Sequence, residues 1–132
     1  MVIVDTDVLV DVFRRYAPAL EWLEKTVAEN EVILPGYVVM ELIQGARNRE
    51  EQEKMRKTIE GYAVLWPSED TCNQATELLA RHHLSSGIGI IDALIGQLAL
   101  DLRLPLHTCN KKHYENVSGL ECELIGRIRK AS

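Results

Sequence analysis

Three carboxylates far apart in the chain, Asp5, Glu41 and Asp92, each fall at the start of an expected helix or within its apolar stretch. A lone carboxylate in such surroundings is costly unless something neutralises it. A divalent cation would do so, since magnesium is held by a few carboxylate oxygens completed by water and substrate phosphate. The three acids therefore point to metal-dependent phosphoryl-transfer chemistry. Each also has a plainer explanation. Asp5, at a strand-helix junction, could cap the helix for about 1 kcal/mol. Asp92, in a first turn, is favoured by the helix dipole by up to about 1 kcal/mol. Glu41, flanked by Met40 and Leu42, could sit in a buried salt bridge with an arginine. Asp7 and Asp11 share a helical face at i, i+4 spacing. Asp7 reads as a cap or a support for metal-bound water, and Asp11 as a solvated residue.

A fourth element follows later, in Thr108-Cys109-Asn110-Lys111-Lys112-His113-Tyr114. Thr108, Asn110 and His113 could support the carboxylates or a scissile phosphate, and Lys111 or Lys112 could contact a nucleic-acid backbone. Threonine and asparagine in turns also serve as local hydrogen-bonders. His82 and His83 are adjacent on a helix and face different directions, so they read as structural. Trp22 and Trp66 read as packing residues rather than base-stacking ones. No glycine-rich phosphate loop of the G-x-x-x-x-G-K type is present.

These residues need elements to bring them together. Val2-Ile3-Val4 reads as a strand passing at Asp5 directly into a helix carrying Val8, Leu9, Val12 and Phe13. A second helix runs from about Pro18 to Asn30, and Val32-Ile33-Leu34 is strand two, broken by Pro35-Gly36. Val38, Val39, Leu42, Ile43 and Ala46 form the apolar face of the next helix, with Glu41 inside it. Arg49 to Glu60 alternates acid and base as a solvated helix, and Ala63-Val64-Leu65 is strand three. Ser68 to Asp70 cap a helix ending near Ser86, and a strongly apolar helix runs from Ile90 to Leu102 with Asp92 in its first turn. Leu106-His107-Thr108 is strand four, and Leu120 to Leu124 a weaker strand five. Strands alternating with helix pairs imply right-handed crossovers. The expected fold is α/β: three α/β/α layers around a central, mostly parallel sheet of four or five strands. Ligands bind such sheets beyond the carboxyl ends of the strands, the edge at which Asp5 and Thr108 stand.

Composition agrees with one domain over residues 1–132. The 132 residues are 46% hydrophobic and 27% charged, enough apolar material for a core. Aromatic residues make up only 5%, which suits buried parallel strands better than a base-stacking surface. The net charge of -5 argues against a coat protein for nucleic acid. From Arg103 onward, however, Arg103, Lys111, Lys112, Arg127, Arg129 and Lys130 outnumber Glu115, Glu121 and Glu123, so positive charge could flank an acidic pocket. Cys72, Cys109 and Cys122 form no C-x-x-C pair, a pattern of reducing compartments. Asp5, Asp7 and Asp11 interrupt the first apolar run before it could serve as a signal or membrane span. A cytoplasmic location without a membrane is the expectation.

The order and spacing of these segments resemble the PIN-domain ribonucleases, particularly VapC-like toxins of toxin-antitoxin pairs, along essentially the whole chain. Val-Asp-Thr-Asp-Val-Leu-Val-Asp resembles their opening motif, Glu41-Leu42-Ile43-Gln44-Gly45 the second and Ile91-Asp92-Ala93-Leu94-Ile95 the third. Thr108 to Tyr114 resembles the closing T-x-N-x-x-(D/H)-F segment. By position, the resemblance implies that Asp5, Glu41 and Asp92 bind one or two magnesium or manganese ions, with Thr108 and Asn110 in support. His113 stands where many relatives carry a fourth acid, and Tyr114 in place of Phe is the lesser departure. The resemblance further implies RNA hydrolysis, a homodimer and a VapB-like antitoxin whose peptide occupies the active-site groove. Substrate choice would then lie with the Arg47 to Lys57 helix and the basic C-terminal segment. Two other readings remain: a noncatalytic interaction or scaffold domain, and a phosphatase using Asp5 or Asp7 as nucleophile. Val8-Leu9-Val10 after Asp7, in place of a glycine-bearing phosphate turn, weighs against the phosphatase.

Overall fold

A computed structural model describes residues 1–125 of the chain. Arg127, Arg129 and Lys130, the end of the basic segment, lie outside the described residues. The elements alternate as β1 (Val2–Val4), α1 (Thr6–Phe13), α2 (Ala17–Glu29), β2 (Val32–Pro35), α3 (Gly36–Gln44) and α4 (Arg49–Ile59). They continue as β3 (Ala63–Leu65), α5 (Glu69–Ser86), α6 (Ile90–Leu102), β4 (Leu106–Thr108) and β5 (Cys122–Leu124). A single 3-10 turn, Lys111–His113, lies between the last two strands.

Each element follows from local chemistry. The Asp5 side chain caps α1 by accepting from the Thr6 amide, as Asn48 caps α4 and Ser68 caps α5. Pro35 closes β2 and α3 starts at once on Gly36, two residues earlier than the apolar spacing suggested. Gly36 is needed there because a Cβ would stand 2.2 Å from the Trp66 ring. Trp66 lies across that backbone, edge-on to Tyr37 with ring centroids 5.5 Å apart. It is nonetheless 55% exposed, so the packing role expected for it covers one face of the ring only. Trp22, by contrast, is buried.

All strand pairings are parallel, and the sheet order is β3-β2-β1-β4-β5. This is the three-layer α/β fold expected from the sequence, with the fifth strand present as a short edge. The chain builds the sheet outward from β1 in one direction, then crosses to β4 on the other side. Strand order therefore reverses between β1 and β4, and that reversal opens a crevice at their carboxyl ends. Ile3, Val4, Leu34 and Leu106 are fully buried in the sheet, with Val8, Val38, Leu42, Ile88 and Ile95 packed from the helices. Burial at these positions keeps the strand register fixed; Leu34→Ala alone would cost about 2–5 kcal/mol. Val4 is paired with His107, which sets Asp5 beside Thr108, one residue past each pair member. No helix among the described residues is long and apolar enough to cross a membrane.

Candidate active site

Asp5 is the centre of the crevice and is 5% exposed. Its Oδ1 accepts from the Thr6 amide at 2.8 Å and its Oδ2 from the Thr108 hydroxyl at 2.8 Å. The Tyr114 hydroxyl lies 3.2 Å from Asp5 Oδ2 and 3.2 Å from Asp92 Oδ1. Asp92 Oδ2 stands 2.8 Å from His113 Nδ1. The Asn110 side-chain nitrogen lies against the same ring, 3.0 Å from that Nδ1 and 3.4 Å from Nε2. The Asn110 amide in turn donates to the Thr108 hydroxyl at 3.0 Å. Asp5, Asp92, Thr108, Asn110 and His113 thus form one hydrogen-bonded array.

Glu41 and Asp7 join it from outside. Glu41 Oε1 accepts from the Thr6 hydroxyl at 2.6 Å. Asp7 Oδ1 accepts from the Cys109 amide at 3.2 Å, tying α1 to the turn after β4. Lys111 and Lys112 are exposed on the 3-10 turn beside the array. His83 Nδ1 contacts the Ile88 carbonyl oxygen at 2.7 Å, the structural role expected of it.

Two expectations need correction. Of the three principal acids only Asp5 is buried. The Asp92 side chain is 26% exposed, and Glu41 is partly exposed. Asp11, expected in solvent, is fully buried: the turn after β4 folds onto its face of α1 and sets the Cys109 thiol 3.6 Å from its Oδ2. The sequence contains the face shared by Asp7 and Asp11 but not what covers it.

The electrostatics of the array are one-sided. Burial, then the charges of Asp7 and Asp92, hold the Asp5 carboxyl well above the usual carboxylate range, against the lowering hydrogen bonds from Thr108 and Thr6. Burial, then the charges of Asp5, Asp92 and Asp7, push the Tyr114 hydroxyl well above its ordinary value.

The donor set fits a hard divalent cation. Its oxygens are carboxylate and amide, the type magnesium takes. The Asn110 Oδ1 atom is buried with no hydrogen-bond partner, an acceptor suited to a water on such an ion. Among the described residues no three histidine, cysteine, aspartate or glutamate side chains close on one point as a metal cage. Hydroxyls of Thr6, Thr108 and Tyr114 stand between the acids instead. Tyr114 and Thr6 were not legible as site residues; the signal for Tyr114 was its replacement of Phe in the closing segment. A groove of about 480 Å³ runs from Glu41 between α1, α3 and α4, lined by Phe13, Leu42 and Met55 together with Arg14 and the ion pairs Arg47–Glu51 and Lys54–Glu50.

Residues 2–119 match the family model described as PIN domain. No curated protein matches the chain. Among solved structures, the chain is similar to a toxin-antitoxin complex from Klebsiella pneumoniae, at 22% identity and a TM-score of 0.77 over 91% of this chain and 95% of that one. It is similar to VapBC2 from Rickettsia felis bound to a DNA fragment from their promoter, at 21% identity and a TM-score of 0.79 over 94% and 98%. VapBC-1 from nontypeable Haemophilus influenzae gives 24% identity and a TM-score of 0.74 over 94% and 98%. At these identities the likeness is one of fold.

Proposed function

Since the chain belongs to the PIN domain family, we propose that it is a metal-dependent endoribonuclease hydrolysing RNA phosphodiester bonds, and the toxin of a toxin-antitoxin pair. The observation that carries this reading is the meeting of the buried Asp5 with the partly exposed Asp92 at one hydroxyl in the β1–β4 crevice, in like-charge surroundings that a cation would relieve. Asp5, Glu41 and Asp92 would hold magnesium, or manganese in its place. When bound, such an ion lowers the pKa of its water and offsets charge developing on phosphate oxygens.

The chain's own residues do the rest. Thr108 fixes Asp5 Oδ2, and His113 steadies Asp92 Oδ2. Asp7 anchors the Cys109 amide and so the turn carrying Thr108 and Asn110. Asn110 offers its buried carbonyl oxygen to a water. Lys111 and Lys112 would meet RNA phosphates at the rim, positioning the strand without reading its sequence.

Support for an antitoxin partner comes from the similar solved structures, which are toxin-antitoxin complexes. The groove beside Glu41, with Phe13, Leu42 and Met55 in its lining and Arg47 and Lys54 paired to Glu51 and Glu50, is where a VapB-like peptide would lie next to the acids. A homodimer acting in the cytoplasm belongs to the same proposal, as does a substrate preference set from α4 and the basic C-terminal segment. The direct test is cleavage of total cellular RNA by the purified, antitoxin-free protein with magnesium, manganese or EDTA, beside an Asp5→Asn, Asp92→Asn double variant. Discrete cuts that need metal and vanish in the variant are expected. Cuts that persist in the variant, or RNA left intact under every condition, would overturn the reading in favour of a noncatalytic role.

A further inference from the structure

We infer that Tyr114 is a positioning residue of the metal centre, its hydroxyl lying between the partly exposed Asp92 carboxylate and the buried Asp5 carboxylate so that both present their remaining lone pairs to one ion. The inference rests on the metal-dependent reading above and deepens it. It begins from accessibility. Asp5 is 5% exposed and gripped on both oxygens, so it cannot swing. The Asp92 side chain is 26% exposed, and repulsion from Asp5 would drive it toward solvent, where its charge is better hydrated. Tyr114, itself 1% exposed, places one hydroxyl 3.2 Å from each of the two carboxylates.

Counting lone pairs shows what this leaves open. Asp5 Oδ2 is occupied by Thr108 and Tyr114, while Oδ1 has only the Thr6 amide. Asp92 has Tyr114 on Oδ1 and His113 on Oδ2. The hydroxyl has one proton to give, to Asp5 Oδ2 or to Asp92 Oδ1, so Asp5 Oδ1 and both Asp92 oxygens keep lone-pair capacity for an ion. The phenol is a donor by its chemistry, and its oxygen is within 3.2 Å of both carboxylates. The fold makes room for the ring with a glycine: a Cβ at Gly96 would stand 3.3 Å from Tyr114 Cε1. The closing segment that this chain resembles carries Phe here, so the hydroxyl is an addition rather than part of that segment's pattern.

The test is Tyr114→Phe, which keeps the ring and its packing. Manganese affinity is measured by electron paramagnetic resonance, and magnesium affinity by the shift in melting temperature, with Trp22→Phe as a control for general loosening. Removing groups that orient metal ligands typically weakens binding by about 10–100-fold, and we expect about tenfold for Tyr114→Phe. The control should bind metal as the wild type does, whatever stability it loses. In EDTA, a double-mutant cycle of Tyr114→Phe with Asp92→Asn should be non-additive, a coupling that ring packing alone would not produce. Equal or tighter metal binding in Tyr114→Phe, with the wild type binding normally, overturns the role of Tyr114 alone. A wild type that binds neither ion overturns the metal centre and this role with it.

Discussion

Strand β4 carries two buried polar clusters on consecutive residues, and they are built in opposite ways. His107 and Thr108 point to opposite faces of the sheet, as neighbours in a strand must. On the first face the Trp22 indole N–H donates to His107 Nδ1 at 2.7 Å, and His107 Nε2 lies 3.2 Å from Glu123 Oε2. The indole fixes the tautomer: Nδ1 accepts, so Nε2 carries the proton toward Glu123. Every polar atom there has a partner of the right kind. On the second face Thr108 meets Asp5 among acids of one sign, with one hydroxyl shared by two carboxylates and the Asn110 oxygen left over. A satisfied buried network is a fastening, whereas an unsatisfied one waits for something the protein does not supply. Two clusters of similar burial, adjacent in sequence, thus differ in whether their hydrogen bonds close.

The strongest way to break this contrast is through Trp22. Trp22→Ala removes a buried aromatic and leaves His107 Nδ1 without its donor, at about 3–5 kcal/mol. Urea denaturation should record that loss while the response of melting temperature to magnesium stays as in the wild type. A loss under about 1 kcal/mol would mean that the cluster is not a fastening at all. A lost metal response would mean that the two faces of β4 are not independent.

Asp5→Asn acts in the other direction. Removing one of several like charges should make the metal-free protein more stable, by about 1 kcal/mol or a rise of roughly 4 °C in Tm for a chain of this size. The same change should abolish stabilisation by magnesium, which depends on binding the folded state. Destabilisation in EDTA would show that Asp5 serves chiefly as the α1 cap, and the contrast between the clusters would fail.

What the sequence made legible follows the same division. Short apolar runs alternating with helix pairs pointed to six helices and a sheet of four or five strands, most clearly at β1, β2 and β4, which are buried throughout, and least at the exposed or partly exposed edge strands β3 and β5. The acids Asp5, Glu41 and Asp92 were legible as types at helix starts. Their relation was not: Glu41 reaches the array through the Thr6 hydroxyl, 35 residues away, and Asp11 is buried where the turn after β4 folds over α1. The His107 cluster left no trace, since a tryptophan in α2 and a histidine in β4 are 85 residues apart. Tyr114 was visible only as a small departure from Phe, although its added oxygen reaches both central carboxylates. Periodicity reports which face of an element is buried; it does not report which atoms meet across elements.

The two clusters should also give stability opposite slopes with pH. Burial lowers the affinity of His107 for a proton despite Glu123 and Glu121. Its contribution is therefore whole above the ordinary histidine value of 6.5 and is lost as pH falls through the lower folded value. The Asp5 carboxyl is raised in the fold, so its contribution is whole below the ordinary value of 3.8 and is lost as pH rises through the higher folded value. In EDTA these trends partly cancel between pH 4 and 7. His107→Gln should leave a protein whose stability rises toward acid, Asp5→Asn one whose stability falls toward acid, each followed by denaturation midpoint against pH. Parallel profiles for the two variants would refute the assignment of opposite signs.

The smallest change bears on the same contrast from a distance. Gly96→Ala adds one methyl to α6, whose Cβ would stand 3.3 Å from Tyr114 Cε1 and 3.5 Å from Cδ1. Alanine gains roughly 0.5–1 kcal/mol over glycine inside a helix, and the tight contact offsets part of that, so stability should move by less than about 1 kcal/mol. Metal affinity should not be so indifferent, because a shift of a few tenths of an ångström in the ring carries the hydroxyl away from its position between Asp5 and Asp92. Calorimetric titration with manganese should therefore show weaker binding in a variant whose unfolding midpoint is nearly that of the wild type. The same methyl placed against the His107 cluster would cost stability and leave the metal alone. Should Gly96→Ala instead bind metal unchanged, the unsatisfied cluster tolerates misplacement of its shared donor, and its geometry is looser than the hydrogen bonds indicate.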